Sequence, residues 1–289
     1  MRPWTFGRCI GVGLLKYFAM SDEPGTRALT PRQQREREYY DQYSQQQRDV
    51  RVNLAPISGA EQRPWNPYWH LFALVKERYR PGSQLLDFGC GWGDNSATFA
   101  HIGYQVEGFD ISEGNLVVAR QLCEKEGVAN KVHFSVQRAE SLTYPDAQFD
   151  VVAGVDILHH VEIPSALAEC HRVLRYGGVA FFIEPLSNPL FDTIRNTRLA
   201  RRFWPNETSF ERHITSDERK LTKKDLKLIG RIFPRPKIDR FRILSRLEVL
   251  LHSGARTLEK LDYSFRFVPF YGSFAGTIVL TLDKRAESV

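Results

Sequence analysis

Residues 84–93 read Gln-Leu-Leu-Asp-Phe-Gly-Cys-Gly-Trp-Gly, and residues 104–110 read Tyr-Gln-Val-Glu-Gly-Phe-Asp. The first segment is typical of a buried strand that runs into a glycine-rich turn, and the second of a strand that ends on an acid. Glycine suits such a turn because a Cβ would collide with a ligand that approaches the backbone closely. Asp110 lies 21 positions after Gly89, where an acid at a strand tip can accept hydrogen bonds from two ribose hydroxyls.

The spacing of the glycines decides the kind of ligand. A nicotinamide dinucleotide site uses G-x-G-x-x-G, whereas Gly89, Gly91 and Gly93 form G-x-G-x-G, and Asp87 precedes them. A carboxylate at that position would repel a pyrophosphate but suits a ligand that carries an ammonium and a sulfonium. Residues 85–93 resemble motif I of the class I S-adenosylmethionine (SAM)-dependent methyltransferases. The resemblance implies SAM as the cofactor and S-adenosylhomocysteine as its product, and the glycine spacing disfavours an oxidoreductase.

The pattern around this stretch alternates between strands and helices. Strands are predicted at 84–88, 105–109, 132–136, 149–154 and 179–184, with helical patterns between them. A loop is expected at 53–63, and a helix that begins with a capping box of Thr222 and Asp225 is predicted to end at Gly230. Alternating β and α units predict a mainly parallel, doubly wound α/β sheet with ligands at the carboxyl ends of the strands. Residues 276–282 form a good final strand, and class I methyltransferases close their sheet with an antiparallel last strand.

The domain organisation follows from composition shifts. Residues 1–29 are expected to be a disordered tail, and residues 1–19 could also be an upstream misannotation. Residues 30–80 are predicted as an N-terminal helical extension, whose Tyr39, Tyr40 and Tyr43 fit either a docked helix or a lid over the cofactor. Residues 81–289 are predicted as the methyltransferase domain, with an insertion at about 186–235 that covers the acceptor site.

The cysteine pattern and the charge distribution indicate the cellular compartment and the kinds of binding partner. The four cysteines are widely spaced, without a C-x-x-C pair, which argues against a disulfide framework and structural zinc and predicts a cytoplasmic protein. No apolar run approaches the roughly 20 residues that span a bilayer. The net charge of +6 is concentrated at 219–246, a segment that contains eleven Lys or Arg residues and two Asp residues. This basic cluster fits a solvated surface, a site for an acidic acceptor or anionic lipid headgroup, or, less readily, a nucleic-acid surface.

The resemblance to motif I implies a set of cofactor-binding residues. The three glycines leave room for the methionine tail, and Asp87 is expected to orient the turn and the ammonium end, directly or through water. Asp110 would bind the ribose hydroxyls through charge-assisted hydrogen bonds. In the adenine segment Arg138 replaces the usual Asp, so that backbone of Ala139 or the side chain of Glu140 is expected to substitute. The implied cofactor residues are Asp87, Gly89, Gly91, Gly93, Asp110, Ile111, Ala139, Glu140 and Val155.

Two further segments resemble the same family. Residues 149–161 look like motif IV of its small-molecule branch, and residues 169–178 are similar to R-V-L-x-P-G-G, with Tyr176 in place of Pro. The implied reaction is in-line transfer of a methyl group to a small or medium-sized metabolite, most often at oxygen. His160 is the first candidate for a general base, followed by His159 and Glu184. A structural histidine under the loop is the alternative for His160.

Three rival interpretations stay open at this point. The basic cluster would suit an RNA or protein methyltransferase, although no Asn-Pro-Pro-Tyr-type motif is present. A SAM-binding partner protein without catalysis would explain the Arg138 departure. A divalent metal near Asp156, His159 and His160 is disfavoured, because the second glutamate of metal-dependent relatives is missing, and no metal is predicted.

Overall fold

The computed structural model describes residues 28–47, 49–59, 62–188, 219–243, 255–265, 268 and 271–285. Its helices are α1 (Pro31–Ser44), α2 (Ala55–Ser58), α3 (Pro67–Arg78), α4 (Asp94–Ile102), α5 (Glu113–Lys125), α6 (Ile163–Val173), α7 (Lys223–Ile232) and α8 (Ala255–Ser264). Its strands are β1 (Gln84–Phe88), β2 (Gln105–Asp110), β3 (Val132–Val136), β4 (Phe149–Val155), β5 (Leu174–Pro185), β6 (Lys237–Phe241) and β7 (Thr277–Asp283). The predicted tail falls outside the described residues, except for its last two.

The strands form one sheet in the order β3-β2-β1-β4-β5-β7-β6. The first five strands pair in parallel, and β7 is antiparallel to both β5 and β6. The strand order reverses between β1 and β4, which is where an open α/β sheet leaves a crevice for a ligand. The predicted fold class, with its antiparallel last strand, is confirmed.

Both faces of the sheet are buried, as the continuous apolar character of the parallel strands requires. Leu86 and Phe88 of β1 face one core layer, which includes Phe182, and Leu85 faces the other, which includes Phe99. Burying one such side chain fully contributes roughly 1.5–3 kcal/mol. Strand β1 is therefore fixed from both sides, and the turn that follows it is held in place.

The start of α7 shows how local sequence positions an element. Thr222 caps the helix in a capping box with Asp225, as predicted. Arg219 donates to both oxygens of Asp225 at 2.6 and 2.8 Å, and this guanidinium lowers the pKa of the Asp225 carboxyl to about 2. The predicted end at Gly230 is wrong, because the helix continues to Ile232 and is followed by the buried Phe233.

Two other boundaries differ from the sequence prediction. A short helix, α2, lies within the segment 53–63 that was expected to be a loop. Strand β5 begins at Leu174 instead of 179, because Leu174 pairs with Phe149 across a register shift and the strand passes through the glycine pair at 177–178. Among the described helices, none is long and apolar enough to cross a membrane.

Candidate functional site

A cavity of about 260 Å³ lies at the carboxyl ends of β1, β2 and β4. Its walls come from the β1–α4 turn, the tip of β2, the segment after β3, the loop after β4 and helix α1. The sequence-predicted residues that line it are Gly89, Gly91, Asp110, Ile111, Ala139, Glu140, Val155 and His160. Asp87, Gly93, His159 and Glu184 do not line it, and each has a different place in the structure.

The glycine turn uses its residues for different purposes. Gly91 has a φ of 50°, and a Cβ built on it would meet no atom within 4 Å, because that side of the residue faces the open cavity. Gly93 has a φ of 78°, and its Cβ would lie 2.7 Å from Cβ of Ala119 in α5. Gly93 therefore permits close packing of the start of α4 on α5 and does not contact the cavity.

Asp110 is the last residue of β2, and its side chain connects this strand to the glycine turn. Its Oδ2 accepts from the backbone N–H of Gly91 at 3.0 Å, and its Oδ1 accepts from N–H of Ser112 at 2.9 Å and from Nδ2 of Asn115 at 3.2 Å. Burial raises the pKa of this carboxyl, against these hydrogen bonds, which lower it. A carboxylate has about four acceptor positions, so one, on Oδ2, remains for a hydroxyl group of a ligand.

Asp87 lies beneath the turn and not in the cavity. It is 1% exposed, and its Oδ2 accepts from the Ser96 hydroxyl of α4 at 2.5 Å. Burial raises the pKa of the Asp87 carboxyl to about 7. The predicted effect on the turn is therefore exerted through α4, without the direct contact to an ammonium group that was one of the two expected routes.

Asp94 contributes a carboxylate that sequence reasoning missed. It is the first residue of α4, it lines the cavity, and burial raises the pKa of its side chain. The signal was present in the sequence, since an acid at the first helical position directly follows the glycine turn. A carboxylate there is also favoured by the helix dipole.

The segment after β3 forms the wall where adenine was expected. Arg138, Ala139 and Glu140 all line the cavity. Glu140 is held by two donors, since its Oε1 accepts from the backbone N–H of Glu162 and its Oε2 from Nε2 of Gln33, both at 2.9 Å. Glu140 is thus an ordered part of the wall and ties the segment to helix α1.

Helix α1 covers the cavity. Gln33, Glu36 and Tyr40 line it, and sequence reasoning missed Gln33 and Glu36. Asp41 fixes the helix to the start of α5, because its Oδ1 accepts from the Ser112 hydroxyl at 2.5 Å and from the N–H of Gly114 at 3.0 Å. The tyrosines also dock, as the ring of Tyr43 stacks on Trp92 at 5.5 Å between centroids. Both interpretations of the tyrosine-bearing helix thus describe part of its role, while movement as a lid stays a prediction.

Glu184 and His159 lie under the loop after β4. Glu184 is fully buried and accepts from the N–H groups of Ile157 and Leu158 at 3.0 and 2.6 Å and from Nδ1 of His159 at 2.7 Å. A buried carboxylate needs such donors to offset its lost hydration. The expectation that Glu184 or His159 is the base at the cavity is therefore corrected: both position the loop that carries the cavity-lining residues.

Among the described residues, His160 is the histidine that lines the cavity. Its Nδ1 lies 3.4 Å from Oε2 of Glu36, and both side chains are mostly buried. The ring of Tyr40 approaches the imidazole edge-on at 5.9 Å. A histidine beside a carboxylate is suited to accept a proton because the carboxylate stabilises the resulting imidazolium. The geometry agrees with the predicted role of His160, which stays a prediction.

Asp156 occupies a strained position beside His160. Its φ is 53°, which is uncommon for a residue with a side chain and is often found at functional sites. The carboxyl lines the cavity and accepts from the Tyr68 hydroxyl at 3.1 Å. Burial, with a smaller effect of the nearby Glu184 carboxylate, raises the pKa of Asp156 to about 6.

The cavity is strongly acidic. In the part of the chain that the structure describes, the ionisable side chains that line it are Glu36, Asp94, Asp110, Arg138, Glu140, Asp156 and His160. Five carboxylates therefore face one guanidinium, and this balance attracts a cation and repels a pyrophosphate. Such a donor set fits a sulfonium and ammonium ligand. Within the described residues, no group of three or more His, Cys, Asp or Glu side chains is arranged to hold a metal ion.

The predicted insertion at 186–235 stays a prediction, because only its two ends are among the described residues. Helix α7 packs against α6, and Leu221, Ile229 and Phe233 are buried in the core. None of the described residues at 219–235 lines the cavity, because their apolar side is needed by the sheet. The remainder of the insertion, at 189–218, and part of the basic cluster lie outside the described residues.

The sheet topology, the glycine turn and the acid at the tip of β2 define the class I fold of SAM-dependent methyltransferases. Residues 86–182 match the family model described as a methyltransferase domain, and this match supports SAM as the cofactor. A geranyl diphosphate C-methyltransferase from Streptomyces coelicolor A3(2) superposes with a TM-score of 0.58 at 15% identity, over 89% of this chain and 98% of that one. This likeness concerns the fold.

Two curated relatives are similar in sequence. A ubiquinone biosynthesis O-methyltransferase from Ruegeria pomeroyi is 36% identical over 149 residues, 50% of this chain and 59% of the relative. A ubiquinone/menaquinone biosynthesis C-methyltransferase from Shewanella piezotolerans is 34% identical over 131 residues, 44% of this chain and 52% of the relative. The matches span little more than half the length of these relatives, and they include transfer to both oxygen and carbon.

Proposed function

We propose that this protein transfers the methyl group of SAM to a hydroxyl oxygen of a small or medium-sized metabolite. The observation that carries the proposal is the position of His160 and Glu36 in the wall of an acidic cavity. This pair offers a proton acceptor at a site whose other ionisable groups favour a cationic methyl donor. SAM, when bound, supplies an electrophilic methyl group on its sulfonium.

The residues of the chain have separable roles in this proposal. Asp110 and the turn at Gly91 would hold the ribose and methionine parts of the donor, and Ile111 and Ala139 would contact the adenine. His160 would take the proton from the acceptor hydroxyl, and Glu36 would stabilise the charge that His160 gains. General-base assistance of this kind contributes typically about 10²–10⁴-fold to the rate. Helix α1 would exclude water from the reacting groups.

The acceptor is proposed to be a hydroxylated aromatic ring. Support comes from the two curated relatives, which are named for ubiquinone biosynthesis, and from the apolar and aromatic side chains of Tyr40, Ile157 and Val161 in the cavity wall. One of these relatives is named an O-methyltransferase and the other a C-methyltransferase. Transfer to oxygen is therefore a more specific proposal than transfer to a small molecule. Loss of the hydroxyl proton would activate the oxygen, and also the ring carbons beside it.

The test measures formation of S-adenosylhomocysteine from SAM with a panel of mono- and dihydroxylated aromatic acceptors. Nuclear magnetic resonance of the product separates a methyl ether from a ring methyl group. We expect turnover with a methyl ether product and a loss of about 10²-fold or more in His160→Gln, with SAM affinity nearly unchanged. Glu36→Gln should lower turnover less and shift its pH profile.

Two results would contradict the proposal. A ring methyl product would move the assignment to carbon, and full activity of His160→Gln would remove His160 as the base. RNA and protein acceptors belong in the same panel, since the basic cluster leaves them as an alternative. Binding of SAM without turnover on any acceptor would favour the non-catalytic partner protein.

A further inference from the structure

A second cavity, of about 490 Å³, lies where β1, β4 and β5 begin, at the sheet edge opposite the cofactor cavity. Its walls come from the end of α3, the loop into β1, the start of β4 and the first part of β5. Arg78, Arg80, Arg175 and Tyr176 line it together with Asp150. No residue of this wall belongs to the site described above.

The balance of charge in this second cavity is the reverse of that in the first. Among the described residues of its wall, one acid, Asp150, accompanies three arginines, and it already accepts hydrogen bonds. Its Oδ1 accepts from Nη1 of Arg175 at 2.8 Å, and its Oδ2 accepts from the N–H of Gln84 at 2.8 Å. The potential of the wall is therefore positive and suits an anion.

The guanidinium groups are held at the rim by local contacts. Nη1 of Arg80 donates to the carbonyls of Glu77 and Tyr79 at 3.0 and 2.7 Å. Arg78 lies 3.7 Å from Asp283, and both side chains are about half exposed, so this ion pair contributes little in water. Arginine presents donors in a planar fork that matches the oxygens of a phosphate group.

An exposed aromatic ring stands beside the arginines. Tyr176 is 65% exposed, so part of its ring surface is accessible to a ligand. The ammonium of Lys284 lies 4.8 Å from the centre of the ring and is anchored by donating to the Leu174 carbonyl at 2.8 Å. The ring is thus held next to the positive wall, where a flat ligand group can stack on it.

We propose that this second cavity binds a phosphorylated small molecule, with its phosphate groups on Arg78, Arg80 and Arg175. The shared chemistry is a chain of phosphates, which a nucleotide or an inorganic polyphosphate could supply. The two sources differ in their use of Tyr176, since only a nucleotide carries a base to stack on the ring. This inference does not depend on the proposed methyl transfer.

The experiment titrates the protein with ATP and with inorganic tripolyphosphate by calorimetry, in the presence of saturating S-adenosylhomocysteine to block the cofactor cavity. We expect saturable binding of at least one probe. The double variant Arg78→Gln/Arg80→Gln should bind it at least tenfold more weakly. Arg120→Gln is the matched control, because Arg120 is an exposed arginine in a single ion pair with Glu113 on α5, and it should bind normally.

Tyr176→Ala then distinguishes the two sources. Weaker binding of ATP with unchanged binding of tripolyphosphate supports a nucleotide, and equal binding of both probes in both proteins supports the phosphate chain alone. The proposal is overturned if neither probe binds, if the double variant binds as the wild type does, or if Arg120→Gln weakens binding as much as the double variant. Circular dichroism of each variant confirms that the fold is intact.

Discussion

Replacing Asp87 by Asn tests whether the turn is supported by a buried acid that resists ionisation. The ordinary pKa of the carboxyl is 3.8, and burial raises it to about 7 in the folded protein. The folded state therefore holds a proton that the unfolded chain releases between these values. The stabilising effect of that proton is complete below pH 4 and is lost as the pH rises through about 7.

The shift fixes the size of the effect. Each pKa unit corresponds to about 1.4 kcal/mol, so a shift of about three units makes ionised Asp87 cost up to about 4 kcal/mol at pH 8, and less where the protein relaxes around the charge. Asn keeps an acceptor for the Ser96 hydroxyl but cannot ionise. Asp87→Asn should therefore be more stable than the wild type by about 2–4 kcal/mol at pH 8, by less than half of that at pH 5, and about equal to it below pH 4.

The assay is urea unfolding of the ligand-free protein at pH 5 and pH 8, followed by circular dichroism. The difference between variant and wild type isolates Asp87, because all other titrating groups are common to both. Glu113→Gln is a control, since this exposed acid pairs with Arg120 and should change stability by no more than about 1 kcal/mol at either pH. The same difference between Asp87→Asn and wild type at both pH values would refute the reasoning.

Three further substitutions test the site. Asp110→Asn should weaken SAM binding at least tenfold by calorimetry, because a charge-assisted hydrogen bond is lost, and unchanged affinity would mean that Asp110 does not bind the ribose. Gly93→Ala should lower the free energy of unfolding by about 1–3 kcal/mol, since its Cβ would lie 2.7 Å from Ala119 at a φ of 78°; wild-type stability would show that α4 shifts freely. Glu184→Gln should lower turnover tenfold or more with a similar Kd for SAM, because an NH2 donor replaces one of the two Glu184 oxygens that accept hydrogen bonds from the loop. Normal turnover would show that the loop needs no such support.

The sheet could be predicted well because its signals are local. The bounds of β1 and β3 agree with the sequence prediction, since each is a short apolar run with clear breaks on both sides. The start of β5 could not be predicted, because Gly177 and Gly178 are a local break that pairing with β4 and β7 overrides. Gly230 was misread for the same reason, as the burial of Phe233 extends α7 beyond it.

The residues of the site also divide into those that local sequence predicts and those that only tertiary packing brings together. Asp110 and Gly91 lie within one motif, and the strand–turn–helix geometry brings them together whatever the rest of the chain does. Glu36 could not be found in this way, because its helix lies more than a hundred residues from His160 and only tertiary packing brings the two within 3.4 Å. Glu184 was wrongly expected at the cavity because an acid at the tip of a strand often faces the ligand. In the structure its carboxylate accepts hydrogen bonds from three donors of the neighbouring loop.

The raised pKa values of the acids in the cavity wall bear on which ligand the cavity selects. Burial raises the pKa of Asp94, Asp110 and Asp156, which line the cavity, so that ionising them together in the ligand-free protein is unfavourable. A cationic ligand reverses the sign of this effect, because it stabilises the ionised form of every acid that faces it. The same arrangement therefore weakens the empty fold and selects a positively charged ligand, and an anionic dinucleotide would meet repulsion from each of these acids. Electrostatics, more than the glycine count, excludes the oxidoreductase interpretation of the turn.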